Sequence, residues 1–327
     1  MNYLEKGVRF FMGNLKAIQD KIQGPVFSIL TPFREDNENI DYDSLEKYLN
    51  YSYESGAKNF FVMAYNSRYS QLSWDEIKEL NSFVAKTVKA LNQENLVIVA
   101  DPLHCSTKVS VEFAQHAQEV GADVISIICR ERYYFDDQVF NHYKMINDNS
   151  DIGILVHEMP FLNGLGGPSV NWPITLLDRV ADLDHVIAIK EDAKDDEYSN
   201  EVINTLKDRL AIVISGGGKS QWLRFADKGC QAWLNGIGVF EPKLAINFWK
   251  FYKDNQIEKC HSMLREIEEP FFEHGVRKFG WHLTIKAALE HRGHMSRKDR
   301  LPLQELPEAE AKEIYKLIDS LPIDKYI

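Results

Sequence analysis

The sequence predicts an α/β fold, a closed (β/α)₈ or TIM barrel followed by a helical appendage. Short apolar runs alternate with amphipathic helical stretches from residue 24 to about residue 242, which is typical of repeated strand–helix units. The runs are almost continuously hydrophobic, as parallel strands covered on both faces must be. No Gly-x-Gly-x-x-Gly turn follows the first run, and closure removes both sheet edges. A barrel is therefore favoured over a doubly wound open sheet.

Eight runs supply the predicted strands. They are Val26–Leu30, Asn59–Met63, Leu96–Ala100, Asp123–Ile128, Ile152–Val156, Val186–Ile189, Ala211–Ile214 and Ala232–Leu234.

The stretches between the strands carry helix start and stop signals. Ser73 and Glu76 have the spacing of a capping box, which predicts a helix running towards Leu91. Gly56 and Gly121 stand where a helix should end before the next strand. The chain is therefore predicted to consist of successive strand–helix units.

Three regions follow from this pattern: an N-terminal helical extension (1–23), the barrel (24–242) and C-terminal helices packed on it (243–327). The extension is apolar at helical spacing over residues 10–22, which predicts packing on the barrel bottom or on a neighbouring subunit. The predicted C-terminal helices are Leu244–Tyr252, Glu258–Phe272, Leu283–His291 and Glu308–Leu317. A loop at Arg300–Pro307 is predicted to connect the last two.

Composition excludes several classes of function. The 327 residues are 44% hydrophobic and 27% charged, as in an ordinary globular protein, and contain no run of about 18 apolar residues. The N-terminal stretch is too rich in charge for a secretory signal, so a cytoplasmic protein is expected. A net charge of −11 disfavours nucleic acid and anionic membranes as partners. The four cysteines show no metal-ligand spacing.

Lys190 is the most informative single residue. In such a barrel, active sites form at the carboxyl ends of the strands, and Val186-Ile-Ala-Ile-Lys190 ends an apolar strand on a lysine. Burial disfavours the ammonium form, and a neutral amine can attack a ketone to give an iminium. The alternative is a structural ion pair between Lys190 and Glu191 or Asp192. Position alone leaves both interpretations open.

Several short blocks occur in a characteristic order along the chain. They are Thr31-Pro32-Phe33, Ile40-Asp41, Leu45, Ser55-Gly56-Ala57, residues 117–123, Pro160, Gly164, Ile189-Lys190-Glu191, Ser215-Gly216, Gly229, Asn235-Gly236 and Pro242.

In these blocks, over roughly residues 24 to 290, the chain resembles the dihydrodipicolinate synthase and N-acetylneuraminate lyase family of Schiff-base aldolases. The resemblance implies that Lys190 is the Schiff-base lysine and that the substrate is a small 2-oxo acid. It also implies catalysis without a metal or organic cofactor, and a homotetramer or dimer.

The turn after the second strand departs from the family pattern. The family carries a Gly-Thr-Thr-Gly-Glu-like turn that holds the carboxylate of the 2-oxo acid, whereas this chain has Ala64-Tyr65-Asn66-Ser67-Arg68. Asn66 and Ser67 retain hydrogen-bond donors, and Arg68 would clamp a carboxylate if it faced inward. The alternative places Arg68 outward, at a subunit contact.

The segment after the fifth strand departs as well. The family motif resembles Tyr-Asn-x-Pro, with a proton-relaying tyrosine, and here His157 takes the place of that tyrosine. An imidazole, with an ordinary pKa near 6.5, can serve as acid and base, although a strand-end histidine can also simply bond a backbone carbonyl. Glu158 would orient His157 or bind a substrate hydroxyl. Leu162 stands where dihydrodipicolinate synthases have an arginine, so a sugar-acid-like or hydroxylated substrate is favoured over a dicarboxylate-like one.

The remaining predicted substrate-binding residues also follow strands. They are Thr31, Tyr65, Tyr133, Ser215, Gly216 and Asn235. The resemblance implies that one tyrosine of the Tyr133-Tyr134 pair reaches the site of a neighbouring subunit.

Two other functions stay open. A metal-dependent enzyme would use Asp101, His104, His157 and Glu158, although no His-x-His or His-Glu-x-x-His spacing supports it. A barrel that has lost catalysis and only binds a metabolite is the second. Metal analysis distinguishes the first, and ligand binding without turnover or trapping distinguishes the second.

Overall fold

Eight parallel strands close into a barrel in which each strand pairs with its neighbours in sequence and β8 pairs with β1. The computed structural model describes residues 14–129, 135–159, 171–193, 195–214 and 219–327. The strands are β1 (Gly24–Ser28), β2 (Asn59–Phe61), β3 (Leu96–Ala100), β4 (Val124–Ile127), β5 (Gly153–Glu158), β6 (Val186–Glu191), β7 (Ala211–Ile214) and β8 (Ala232–Asn235). The predicted (β/α)₈ barrel is confirmed.

Helices connect successive strands and continue after β8. They are α1 (described over residues 14–21), α2 (Tyr42–Glu54), α3 (Trp74–Leu91), α4 (Thr107–Glu119), α5 (Asp136–Asn149), α6 (Ile174–Val180), α7 (Asp196–Leu206), α8 (Lys219–Phe225), α9 (Pro242–Lys253), α10 (Ile257–Met263), α11 (Glu269–Phe271), α12 (Arg277–Phe279), α13 (Trp281–His291) and α14 (Glu308–Ser320). Across the described ranges, none of these helices combines the length and apolar character needed to cross a bilayer.

The local signals in the sequence act as predicted. Ser73 caps α3, its hydroxyl accepts from the Glu76 N–H, and the Glu76 carboxylate accepts from the Ser73 N–H at 2.9 Å. Gly56 and Gly121 have φ values of +106° and +84°, a region that suits glycine and ends the preceding helix.

Helix α1 packs on the amino-terminal end of the barrel. Leu15 and Ile22 are buried, and the Gln19 side-chain amide donates to the carbonyl oxygens of Ile187 and Arg209 at 3.0 and 2.6 Å. These carbonyls lie at the start of β6 and just before β7. Of the two locations expected for this segment, the barrel bottom is the one found.

The C-terminal helices differ from the prediction in one respect. The helix expected over Glu258–Phe272 runs on to Phe279, because two π-helical turns, Leu264–Glu268 and Phe272–Val276, join α10, α11 and α12. Helix α13 then returns to the barrel with seven of its side chains buried, so part of the appendage lies against the carboxyl end of β1 and the turn after β2.

Candidate active site

Lys190 and His157 face each other across adjacent strands. The two residues are register partners in the β5–β6 pair, and both strands extend further than predicted, so that each residue lies inside its strand. Lys190 Nζ lies 3.1 Å from His157 Nε2, and both side chains are buried. The sequence-predicted pair is therefore brought into direct contact.

Asp192 completes this contact and was not among the predicted site residues. Its Oδ2 lies 2.5 Å from Lys190 Nζ and 3.7 Å from His157 Nε2. Burial alone would raise the pKa of Asp192, but the charge of the adjacent Lys190 outweighs it and holds this pKa below its ordinary value. The ion pair that position left open as an alternative for Lys190 therefore exists, and it forms with Asp192.

His157 is a neutral histidine in this environment. Burial and the charge of the neighbouring Lys190 together lower its pKa to about 4, against the opposing effect of Asp192. Its Nδ1 is buried and finds no hydrogen-bond partner among the described residues. With the hydrogen on Nδ1, Nε2 is free to accept a proton from Lys190 Nζ.

Glu158 and Glu191 are two further buried carboxyl groups on the same strands. Glu158 Oε1 accepts from the Trp172 N–H at 3.3 Å, while Oε2 has no hydrogen-bond partner in the described part of the chain. Burial raises the pKa of Glu158 to about 8. Glu191 accepts from the Ser199 hydroxyl and the Ala193 N–H, both at 2.6 Å, and burial raises its pKa too.

The turn after β2 is held mainly by its own side chains. The Thr31 hydroxyl donates to the Ser67 carbonyl oxygen, and the Ser67 hydroxyl donates to the Ile29 carbonyl oxygen, both at 2.5 Å. Asn66 donates one amide hydrogen to Ser28 Oγ at 2.6 Å. A carboxylate needs donors, and of these three side chains Asn66 alone keeps a hydrogen that is not already used in these bonds.

Arg68 is buried and forms an ion pair within the chain. It is 6% exposed, adopts a left-handed backbone (φ +62°), and its Nη2 lies 2.8 Å from Asp299 Oδ2. Lys286 of α13 lies 3.6 Å from the other oxygen of Asp299 and donates to the Thr31 carbonyl oxygen at 2.9 Å. Burial lowers the pKa of Lys286 to about 8. The Arg68 Nη2 atom is therefore already paired within the chain, and the binding of a substrate carboxylate by Arg68 stays a prediction.

His282 of α13 extends this cluster to Tyr65 and Asn66. Its Nε2 lies 3.0 Å from Asn66 Oδ1, and its ring meets the Tyr65 ring edge-on at a centroid distance of 4.4 Å. Burial lowers the pKa of His282 well below its ordinary value, so the ring is neutral. Sequence reasoning missed His282, Lys286 and Asp299 because nothing in the strand pattern connects them with the barrel mouth.

Of the four remaining predicted site residues, the structure describes one. Asn235 ends β8, and both polar atoms of its buried amide lack hydrogen-bond partners among the described residues. Tyr133, Ser215 and Gly216 lie outside the described residues.

The residues considered for a metal centre lie on different elements and contact different neighbours. Asp101 accepts from the Ser110 hydroxyl at 2.7 Å, and His104 lines a cavity of about 300 Å³ between α4 and α5, whereas His157 and Glu158 lie on β5. Within the described ranges, no three His, Cys, Asp or Glu side chains are grouped as ligands for a metal ion.

Comparison with known proteins agrees with this architecture. The profile of the Dihydrodipicolinate synthetase family matches residues 21–321. A 4-hydroxy-tetrahydrodipicolinate synthase from Thermotoga petrophila is 26% identical over 283 residues, 84% of this chain and 90% of that protein. An uncharacterised DapA-like lyase from Pyrococcus abyssi is 24% identical over 252 residues, 76% of this chain and 81% of the relative.

A solved structure shares the fold. It is the pyruvate complex of YagE, a prophage protein of the dihydrodipicolinic acid synthase family from E. coli K12, with a TM-score of 0.80, 19% identity and coverage of 93% of this chain and 99% of that one. Because the family profile spans nearly the whole chain, this protein belongs to the dihydrodipicolinate synthetase family.

Proposed function

We propose that this protein is a lyase or aldolase, or a dehydratase, that forms a Schiff base between Lys190 and a small 2-oxo acid or sugar-acid-like substrate. The observation that carries the proposal is the position of Lys190 Nζ, buried at the carboxyl end of β6, 3.1 Å from a neutral imidazole and 2.5 Å from a carboxylate. The pyruvate complex of YagE supports a 2-oxo acid as the substrate class.

The geometry suits both the formation of the Schiff base and the bond making or breaking that follows it. His157 accepts a proton from Lys190 so that the amine can attack the ketone carbon, and the same proton returns when the carbonyl oxygen leaves as water. The resulting iminium withdraws electrons from the neighbouring carbon, which eases the making or breaking of a bond there. The imidazole then moves the proton at that carbon, the role that the family resemblance gives to a tyrosine.

The distal part of the substrate is proposed to be hydroxylated rather than a second carboxylate. Three carboxyl groups, Glu158, Glu191 and Asp192, lie near Lys190, and Leu162 stands where dihydrodipicolinate synthases have an arginine. With its pKa raised to about 8, Glu158 is protonated at neutral pH and can donate to a substrate hydroxyl. A true dihydrodipicolinate synthase is therefore not proposed.

The proposal includes the surroundings of the reaction. We place the enzyme in the cytoplasm as a homotetramer or dimer that works without a metal or organic cofactor. The net charge of −11 supports the absence of nucleic acid and anionic membrane partners.

Borohydride trapping tests the central step. Incubation with pyruvate and sodium borohydride should add one reduced pyruvyl group at Lys190, located by peptide mass spectrometry. Lys190→Arg keeps the charge but cannot form a Schiff base, so its adduct should be lost. Lys219→Arg is the matched control, because Lys219 is also buried and ion-paired, with Glu268, and should leave trapping intact.

Two results would overturn the proposal. One is the lack of an adduct with pyruvate and with longer 2-oxo acids in the folded wild-type protein. The other is undiminished labelling of Lys190→Arg, which would place the reactive amine elsewhere.

A further inference from the structure

Within the part of the chain that the structure describes, Asp192 is the one carboxylate in contact with the nitrogen that the proposed function makes reactive. It lies just after β6, 2.5 Å from Lys190 Nζ, and is 4% exposed. The block of the family resemblance that contains Lys190, Ile189-Lys190-Glu191, ends one residue earlier. The geometry therefore gives Asp192 a place at the reacting atom that the resemblance does not assign.

The three carboxyl groups near Lys190 are not equivalent. Glu158 and Glu191 have raised pKa values because they are buried, whereas the charge of Lys190 lowers the pKa of Asp192. Glu191 is turned to Ser199 on α7, and Glu158 to the Trp172 N–H. Of the three carboxyl groups, Asp192 is therefore the one whose ionised form the site favours, and it is the one that touches Nζ.

A buried cation without a counter-ion is costly, and the proposed reaction begins and ends with a cation on this nitrogen. The ammonium gives one proton to His157 Nε2, the amine adds to the ketone carbon, and a second proton moves from nitrogen to the former carbonyl oxygen. His157 then returns its proton to that oxygen, which leaves as water while the C=N bond forms. One ammonium and one ketone have become one iminium and one water, with the charge unchanged.

We propose that Asp192 is a catalytic residue, the counter-ion that stays paired with the Lys190 nitrogen both as ammonium and as iminium. This inference rests on the proposed function. The iminium keeps one N–H, and Asp192 Oδ2 accepts from it without having moved. The neutral His157 is left free to carry protons, because it does not have to balance the charge.

The counter-ion sets how the iminium responds to pH. With Asp192 present, the ion pair stabilises both the ammonium and the iminium, which carry the same charge, so the trapped fraction changes little with pH across the neutral range. With asparagine, the free enzyme loses its proton at lower pH, and forming the iminium then takes up a proton. The charged and titratable groups facing this pair are His157 and Glu158 on β5 and Glu191 on β6.

Trapping at saturating borohydride, measured against pH with pyruvate, tests this. In Asp192→Asn the alkaline limb of the trapped fraction should move to lower pH by one unit or more, leaving about tenfold less adduct than wild type near pH 8. Glu191→Gln is the matched control, since it removes the adjacent carboxylate, and its alkaline limb should coincide with that of wild type. Thermal unfolding checks that both variants fold.

The outcomes separate the two proposals. A wild-type adduct combined with an unshifted limb in Asp192→Asn would refute the counter-ion role and leave the Schiff base standing. No wild-type adduct would end both. If Asp192→Asn does not fold, the wild-type profile decides alone, because a trapped fraction that already falls about tenfold per unit from pH 7 upward contradicts a retained counter-ion.

Discussion

His157 illustrates how burial prepares a single side chain for proton transfer. Its pKa of about 4 means that the imidazole is neutral throughout the neutral range, although it lies beside an ion pair. A neutral imidazole accepts a proton, and an imidazolium with a low pKa readily gives it back. The distance of 3.1 Å to Lys190 Nζ is within the range of direct transfer.

Replacing His157 by glutamine should therefore separate adduct formation from turnover. Lys190 and Asp192 remain, so borohydride should still trap the adduct after longer incubation, because a proton carrier changes the rate of adduct formation and not its equilibrium. Exchange of the methyl hydrogens of pyruvate in D₂O, followed by NMR, should slow by about 10²–10⁴-fold. His142→Gln is the matched control. Burial also lowers the pKa of His142 to about 4, but this histidine bonds Thr107 on α4. Equal exchange rates in the two variants would exclude His157 as the proton carrier.

At this scale the sequence was informative where a side chain follows from strand position. Lys190 and His157 could be predicted because residues at strand ends meet at one face of a parallel barrel. Asp192 could not be assigned, because the direction of its side chain depends on the backbone just beyond β6. The ion pair of Arg68 could not be predicted, because its partner, Asp299, lies 231 residues further along the chain.

At the scale of elements, the turn after β2 and helix α13 are joined by buried charges. Asp299, which follows α13, pairs with Arg68 at 2.8 Å and lies 3.6 Å from Lys286 Nζ. Lys286 in turn donates to the carbonyl oxygens of Thr31 and Lys298 at 2.9 and 2.8 Å. The C-terminal appendage thereby fixes the turn that the resemblance assigns to substrate binding.

Asp299→Asn should be strongly destabilising. The substitution leaves Arg68 and Lys286 as buried cations without their carboxylate, and breaking such a pair costs about 3–5 kcal/mol. Urea unfolding measures the change. Asp319→Asn is the control, because Asp319 is 67% exposed, pairs with His291 at the surface, and should change the free energy of unfolding by less than about 1 kcal/mol. A similar small change in both variants would show that the buried pairs do not hold the turn.

Element boundaries were predictable to within a few residues, and the errors have physical causes. The first strand was expected two residues too late, at Val26–Leu30 instead of Gly24–Ser28, because the apolar run continues past the last barrel hydrogen bond. The π-helical turns between α10 and α12 could not be foreseen, since their side chains keep a near-helical period. Capping signals, being local, were read correctly at Ser73.

At the scale of the whole molecule, closure of the barrel puts ionisable groups from several strands in a dry interior. Asp101 follows β3 and Glu158 ends β5, and burial raises their pKa values to about 7 and about 8. The eight-strand pattern predicted this architecture because both faces of every strand had to be covered. The oligomeric state and the substrate stay predictions, since neither is set by strand periodicity.

The neutral carboxyl of Glu158 makes the stability of the fold depend on pH. Its folded pKa of about 8 lies above the ordinary 4.5, so folding favours the protonated form, and this stability is present below pH 4.5 and lost as the pH rises through 8. Glu158→Gln imitates the protonated form at every pH. The free energy of unfolding of Glu158→Gln should therefore rise relative to that of wild type by about 1.4 kcal/mol for each pH unit between pH 4.5 and 8.

Glu119→Gln is the control, because Glu119 lies on the exposed face of α4, and its free energy of unfolding should change with pH as that of wild type does. Urea unfolding at half-unit pH intervals measures the difference, and a constant offset for Glu158→Gln would mean that Glu158 is ionised in the folded protein.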